Sequence, residues 1–141
     1  MSRHKHYSTS RQLYENINLN DSCPIHHPRI WLHHKQQIDP EIWGSHYWQY
    51  YHTMSLKYPE HPTYDQQRNM YDYLMNLYNQ LPCQVCREHA RDYIVKNEPK
   101  INRAILSQRD LFNFFVDFHN SVNHRNGKPM VSYEEARSMY S

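Results

Sequence analysis

The sequence predicts an all-α fold, a four-helix bundle with a short additional C-terminal helix. Three observations carry this. Apolar residues recur every three or four positions in long stretches, the spacing that lines one face of a helix. Two capping boxes mark helix starts. No strand pairs or hairpin turn signals interrupt a chain that holds only two glycines. Thirteen tyrosines, three tryptophans and four phenylalanines supply rings to pack a helical core or wall a flat ligand.

In chain order, residues 1–38 come first, with six of the twelve histidines (His4, His6, His26, His27, His33 and His34), Cys23-Pro24 and Pro28. They show no sustained periodicity and read as a mostly irregular segment ahead of a folded domain over 39–141. Trp43, Tyr47, Tyr50, Tyr51, Met54 and Tyr58 then lie at helical spacing until Pro59 and Pro62 end the run. Thr63 with Gln66 forms a capping box, predicting a helix through Met70, Leu74, Leu77 and Tyr78 to Leu81. Leu81-Pro82 breaks that segment, and a cysteine-bearing helix runs on to about Lys96, with Pro99 beyond it. Ser107 to Asp110 signals the next start. Leu111, Phe114, Phe115, Phe118 and Val122 form its apolar face, and Gly127 suits the left-handed turn after it. Ser132 with Glu135 opens the short last helix.

Composition excludes several classes. The 141 residues are one domain's worth. A mean hydropathy of -1.04 leaves no run to span a membrane. The net charge is only +2, with basic and acidic residues interleaved, so neither a membrane nor a nucleic-acid partner is expected. The first six residues lack the apolar stretch of a secretory signal, and three cysteines do not make a disulfide scaffold. The expected setting is cytoplasmic, where a reactive cysteine pair is catalytic or redox-sensing rather than structural.

That pair is Cys83-Gln84-Val85-Cys86. Two thiols at this spacing close a disulfide and make a two-electron redox centre. On the first turn of a helix, unpaired amides and the helix dipole favour thiolate over thiol. Zinc is a competing reading, since His89 extends the run. A closed site needs four ligands, however, and Cys23 is the sole further cysteine, so no metal site is assigned. An inert buried pair and a flavin-free thiol–disulfide exchange protein also remain open on spacing alone.

Two further clusters bear on the choice. Gly44, Trp48 and His52 recur four apart and share a helix face, offering a gap, a large ring and an imidazole. His119 and Asn123 share another face, followed by Arg125 and Lys128 at a helix end. Imidazole and amide for a heterocycle, then cations for phosphate, is the chemistry a dinucleotide needs. Each cluster alone also fits a packed core or a solvated helix terminus.

Taken in order, Gly-x3-Trp-x3-His-Thr over 44–53, Tyr58-Pro59, the Cys-x2-Cys, His119-Asn120-Ser121-Val122-Asn123 and Gly127-Lys128-Pro129 resemble the FAD-linked sulfhydryl oxidases of the Erv/ALR family. The likeness covers about residues 41–140. Leu81-Pro82-Cys83 through Cys86, His89-Ala90, Tyr93 and Val131-Ser132-Tyr133 are most similar to its short viral branch, of the African swine fever virus kind.

The resemblance implies a helical bundle gripping FAD at one end, usually as a homodimer. It assigns Cys83 and Cys86 as the redox pair, with Cys83 outer and Cys86 toward the flavin. Gly44, Trp48 and His52 fall on the first cofactor helix, and His119, Asn120 and Asn123 on the second. Arg125 and Lys128 fall near the phosphates, and Tyr140 near the adenine. It further implies a dithiol protein substrate or redox relay protein, and electrons passing through FAD to dioxygen to give hydrogen peroxide. For a viral member it implies action on virion proteins in host cytoplasm. A second, structural disulfide of cellular members is missing, its positions matching Val95 and Val116, so packing is expected to replace it.

Overall fold

The computed structural model describes residues 39–141; the histidine-rich segment 1–38 and Cys23 lie outside the described residues. Among the described residues six α-helices follow one another: α1 (Pro40–Leu56), α2 (Tyr64–Asn76), α3 (Gln84–Lys96), α4 (Glu98–Ala104), α5 (Gln108–Arg125) and α6 (Tyr133–Tyr140). A single 3-10 turn, Leu77–Gln80, joins α2 to the cysteine helix. The described residues contain no strand.

Five of the six starts are fixed by a side chain that satisfies a free amide, α4 alone following Asn97 without one. Asp39 accepts from the Glu41 amide at 2.9 Å ahead of Pro40, so α1 begins three residues before its periodic apolar run. Thr63 with Gln66 and Ser132 with Glu135 make reciprocal boxes. Ser107 accepts from Asp110 at 3.1 Å. After α5 the chain reverses at Gly127, whose φ of +66° is the left-handed region open to glycine.

One short helix departs from the expected four-plus-one plan. Pro99 read as a stop, yet it occupies the first turn of α4, where a missing N–H costs nothing. Helix α4 lets the chain turn back so that α5 passes between α1 and α4, with α6 laid against α1 and α5. Phe115, Leu111, Ile101, Leu74 and Ile94 are fully buried where these helices meet, and Tyr51 stacks on Phe115 with centroids 5.2 Å apart. A smaller cluster of Phe112, Val116 and Ala136 seats α6.

Val95 and Val116, at the positions of the missing disulfide, stand in different surroundings. Val95 is 58% exposed whereas Val116 is buried in the α6 cluster, to which Val95 does not belong. Hydrogen bonds add to the apolar packing between elements. Gln108 donates to the Leu56 carbonyl at 2.8 Å, and the Tyr58 hydroxyl donates to that of Ile105 at 2.8 Å. Among the described residues no helix is long and apolar enough to cross a membrane.

Candidate redox and cofactor site

Cys83 and Cys86 form a disulfide, with Cα atoms 5.1 Å apart. Cys83 is the N-cap of α3, and its Sγ accepts the Cys86 amide at 3.2 Å. Helix α3 therefore starts on a sulfur, where the unpaired amides of the first turn favour negative charge. Two side chains fix the approach to this cap. The Tyr47 hydroxyl donates to the Gln80 carbonyl at 2.9 Å, and Arg87 Nη1 donates to that of Leu81 at 2.8 Å. Neither tether was visible in the sequence, because each joins a side chain to a backbone atom and leaves no residue-type signal at its acceptor.

The disulfide borders a cavity of about 660 Å³. Its walls come from α1 (Gly44, Trp48), α3 (Cys83, Cys86, His89) and α5 (His119, Asn123, Arg125), with Lys128 and Tyr140 completing the lining. Seven of the nine expected cofactor residues thus share one cavity with both cysteines. Gly44 borders open space: a β-carbon there would meet no atom within 4 Å.

His52 and Asn120 stand elsewhere. His52 is 1% exposed and lies behind the wall, between the Tyr140 ring at 4.3 Å and Phe112 at 5.5 Å. It reaches the cavity through His119, with Nε2 3.2 Å from Nδ1 of that ring. His119 in turn stacks flat on Trp48 at 4.1 Å. Asn120 does not line the cavity. Its side chain accepts from the Val131 amide at 2.9 Å and donates to the Val131 carbonyl at 2.8 Å, pinning the segment that carries Lys128.

Electrostatics set the charge of the lining rings. Burial, then the neighbouring imidazole, pushes His52 down to about 4; burial, then Lys128, does the same to His119. Both rings are neutral at pH 7, as suits a stack against a flat uncharged heterocycle. Burial pushes the Tyr51 hydroxyl up. Arg125 and Lys128 line the same cavity as exposed cations, and Lys128 Nζ pairs with Glu41 at 3.0 Å. Glu41 was missed because the start of α1 was set too late; Asp39-Pro40-Glu41 is the signal that would have placed it.

The donor set fits a flavin dinucleotide. A neutral ring stack, two sulfurs, a glycine and two cations around one cavity supply the chemistry that a planar tricycle and a pyrophosphate need. His52 Nδ1 is buried without a hydrogen-bond partner in the protein, an atom whose burial is costly unless something satisfies it. The exposure of the cysteines differs from expectation. Cys83 is 5% exposed, less than Cys86, because its sulfur is folded back over the helix start as the cap. No cluster of three or more histidine, cysteine or acidic side chains suited to a metal occurs among the described residues.

Comparison with known proteins agrees with the geometry. The family model described as Erv1 / Alr matches residues 45–141. Protein 347L of Invertebrate iridescent virus 6 is 38% identical over 106 residues, 73% of this chain and 96% of its own. An African swine fever virus protein named FAD-linked sulfhydryl oxidase is 29% identical over 98 residues, 70% of this chain and 79% of its own. Among solved structures, the FAD binding domain of Erv1 from Saccharomyces cerevisiae superimposes with a TM-score of 0.66 at 26% identity, covering 73% of this chain and 94% of that one. With its redox pair, ring wall and cations inside the matched span, this chain belongs to the Erv1/Alr family.

Proposed function

We propose that the chain is an FAD-dependent thiol oxidase that forms disulfides in protein substrates and passes the electrons through FAD to dioxygen, giving hydrogen peroxide. The observation that carries this is one cavity walled at once by the Cys83–Cys86 disulfide, the Trp48–His119 stack and the Arg125 and Lys128 cations. Relatives named as FAD-linked sulfhydryl oxidases support it.

The protein's part follows from thiol chemistry. A substrate thiolate attacks Cys83 Sγ, the S–S bond breaks, and Cys86 leaves as a thiolate on the cavity wall. A second substrate thiolate attacks the substrate sulfur of the mixed disulfide, and Cys83 leaves into its cap position. The substrate loses two electrons, held now by two enzyme sulfurs, and two protons reach solvent. Bound FAD supplies the two-electron acceptor that hands these electrons on to dioxygen. Trp48, His119 and Asn123 would hold its rings, Gly44 would admit them, and Arg125 and Lys128 would meet its phosphates. His52 and Asn120 act from behind, one by orienting His119 and the other by anchoring the Lys128 segment.

Viral relatives support a viral enzyme, and we place its action on virion proteins in host cytoplasm. The family habit of pairing suggests a homodimer. Ile42, Tyr50 and Tyr64 are 68, 56 and 76% exposed on α1 and α2 and offer apolar surface for a second copy. One experiment tests the function. The purified full chain is expected to carry a flavin absorption band and to turn dithiothreitol and oxygen into peroxide, and Cys86→Ser to stay yellow and lose turnover. A colourless protein that exchanges disulfides without oxygen uptake would refute the reading.

A further inference from the structure

Arg87 stands in an unusual position for a guanidinium. It is half-buried, it lies one helical turn after Cys83 on the same face of α3, and it makes no ion pair among the described residues. Its Nη1 bonds the Leu81 carbonyl, two residues ahead of the cysteine, at 2.8 Å, while its own amide bonds the Cys83 carbonyl at 3.0 Å. The side chain is thereby folded back along the helix start instead of extending into water. Arg87 is not among the residues lining the cavity, so its charge is not spent on the cofactor's phosphates.

Chain geometry limits how far that charge lies from the sulfur. Successive α-carbons are about 3.8 Å apart, which brings a group bonded at Leu81 within roughly 10 Å of Cys83. We infer that Arg87 is a positioning residue whose fixed charge stabilises Cys83 as a thiolate once the disulfide is opened, and that the Leu81 carbonyl holds it there. The inference rests on the oxidase reading for its purpose. In the second exchange step the substrate's sulfur–sulfur bond forms, the Cys83 bond to substrate breaks, and the electron pair stays on Cys83. A leaving sulfur stabilised as an anion departs faster and makes the pair a stronger oxidant.

Other titratable groups follow on α3 or line the cavity that the disulfide borders. Glu88 and His89 follow on α3, Glu41 borders the cavity from α1, and His119 and Arg125 do so from α5. Glu88 accepts from Gln84 at 3.3 Å, and Glu41 is paired with Lys128. Arg87, unlike these, is tied by its side chain to the segment leading into the cap.

The test uses the full-length FAD-loaded protein, anaerobic and reduced, carrying Cys23→Ser and Cys86→Ser so that iodoacetamide reports on Cys83. Arg87→Gln removes the charge and is expected to lower the thiolate fraction about tenfold, moving the alkylation midpoint up by about one pH unit. Arg87→Lys keeps the charge and is expected to stay within about twofold of the parent. In the parallel set with both redox cysteines present, Arg87→Gln is expected to shift the dithiothreitol equilibrium about tenfold toward the disulfide, a 30 mV change. An unchanged midpoint in Arg87→Gln overturns the inference. So does an Arg87→Lys midpoint displaced as far as that of Arg87→Gln, which would assign the role to the tether alone. None of these readouts requires oxygen turnover; a protein that takes up no FAD fails the oxidase reading separately, and the Cys83 profile still decides the role of Arg87.

Discussion

Acid should unfold this protein through the His52 and His119 pair before its carboxylates matter. Burial holds both rings well below the ordinary 6.5, at about 4, and their facing nitrogens are 3.2 Å apart. Between those pH values the unfolded chain binds a proton on each ring and the folded chain does not. The unfolded state therefore carries the excess of protons, so stability is full above about 6.5 and falls as pH drops toward 4. A ring carried from 6.5 to about 4 represents on the order of 3 kcal/mol at the bottom of that window, a large share of a total of about 5–15 kcal/mol. His119 is carried down to the same value, so the two rings titrate in one window. Glu135, an exposed acid drawn below 4.5 by the Ser132 amide, gives up its stability below that value and does not confuse the range from 6.5 down to 5. The assay is urea unfolding followed by tryptophan fluorescence at pH 6.5, 6 and 5. The parent is expected to lose about 2 kcal/mol per pH unit, and His119→Asn about 1.4 or less, since one titrating ring gives at most that slope. Both chains share every other histidine, including those before residue 39, so equal slopes in the two would refute the assignment to this pair.

Three further outcomes follow from the packing. Phe115→Ala removes a fully buried ring stacked on Tyr51 and is expected to cost about 3–5 kcal/mol, read as a lowered urea midpoint with an unchanged m-value. Asn120→Ala cuts both bonds to Val131 and is expected to cost about 1–3 kcal/mol and to weaken FAD retention in a dialysis assay, although the residue does not line the cavity. Glu41→Gln frees Lys128 from an exposed pair; stability should change by less than about 1 kcal/mol, while a flavin fluorescence titration should show binding that is equal or a few-fold tighter.

Helix positions were legible where the sequence states both a start and an apolar stripe. Thr63 with Gln66 and Ser132 with Glu135 announce α2 and α6 because a capping box is a local event, closed within four residues. Helix α4 was hidden because proline marks a helix start as well as a stop, and seven residues are too few for periodicity to decide. The site was legible as faces: Gly44 with Trp48, and His119 with Asn123, arrive at the cavity together because helical register carries them there. Burial depth was not legible. Register placed His52 beside Trp48, but Phe112 and Tyr140 from distant parts of the chain enclose it and leave His119 as the ring at the wall. Asn120 failed for a related reason, as an amide one position from a cavity residue serves the backbone equally well, and the Val131 segment that claims it lies across a turn.

Those distant ties also explain how the redox pair is held without a second staple among the described residues. A disulfide constrains a chain mainly by limiting its unfolded ensemble, whereas the bonds found here act on the folded geometry at the place where geometry matters. Tyr47 reaches from α1 to the Gln80 carbonyl, Arg87 reaches back from α3 to Leu81, and the Cys86 amide meets Cys83 Sγ, so three successive points of the segment 80–83 are fixed. Each bond is worth about 1 kcal/mol to stability, which is modest. Their value lies in position, because a cap that drifted would carry the sulfur away from both its helix amides and the cavity wall. Tyr47→Phe separates the two roles: it deletes one hydroxyl at the start of that segment and leaves the ring packing on Trp43 and Tyr51 in place. A fall in the rate of cofactor reduction by dithiothreitol of about tenfold, with a urea midpoint lowered by no more than 1 kcal/mol, is the expected result. Equal proportional losses in rate and stability would mean that the tether serves the fold alone.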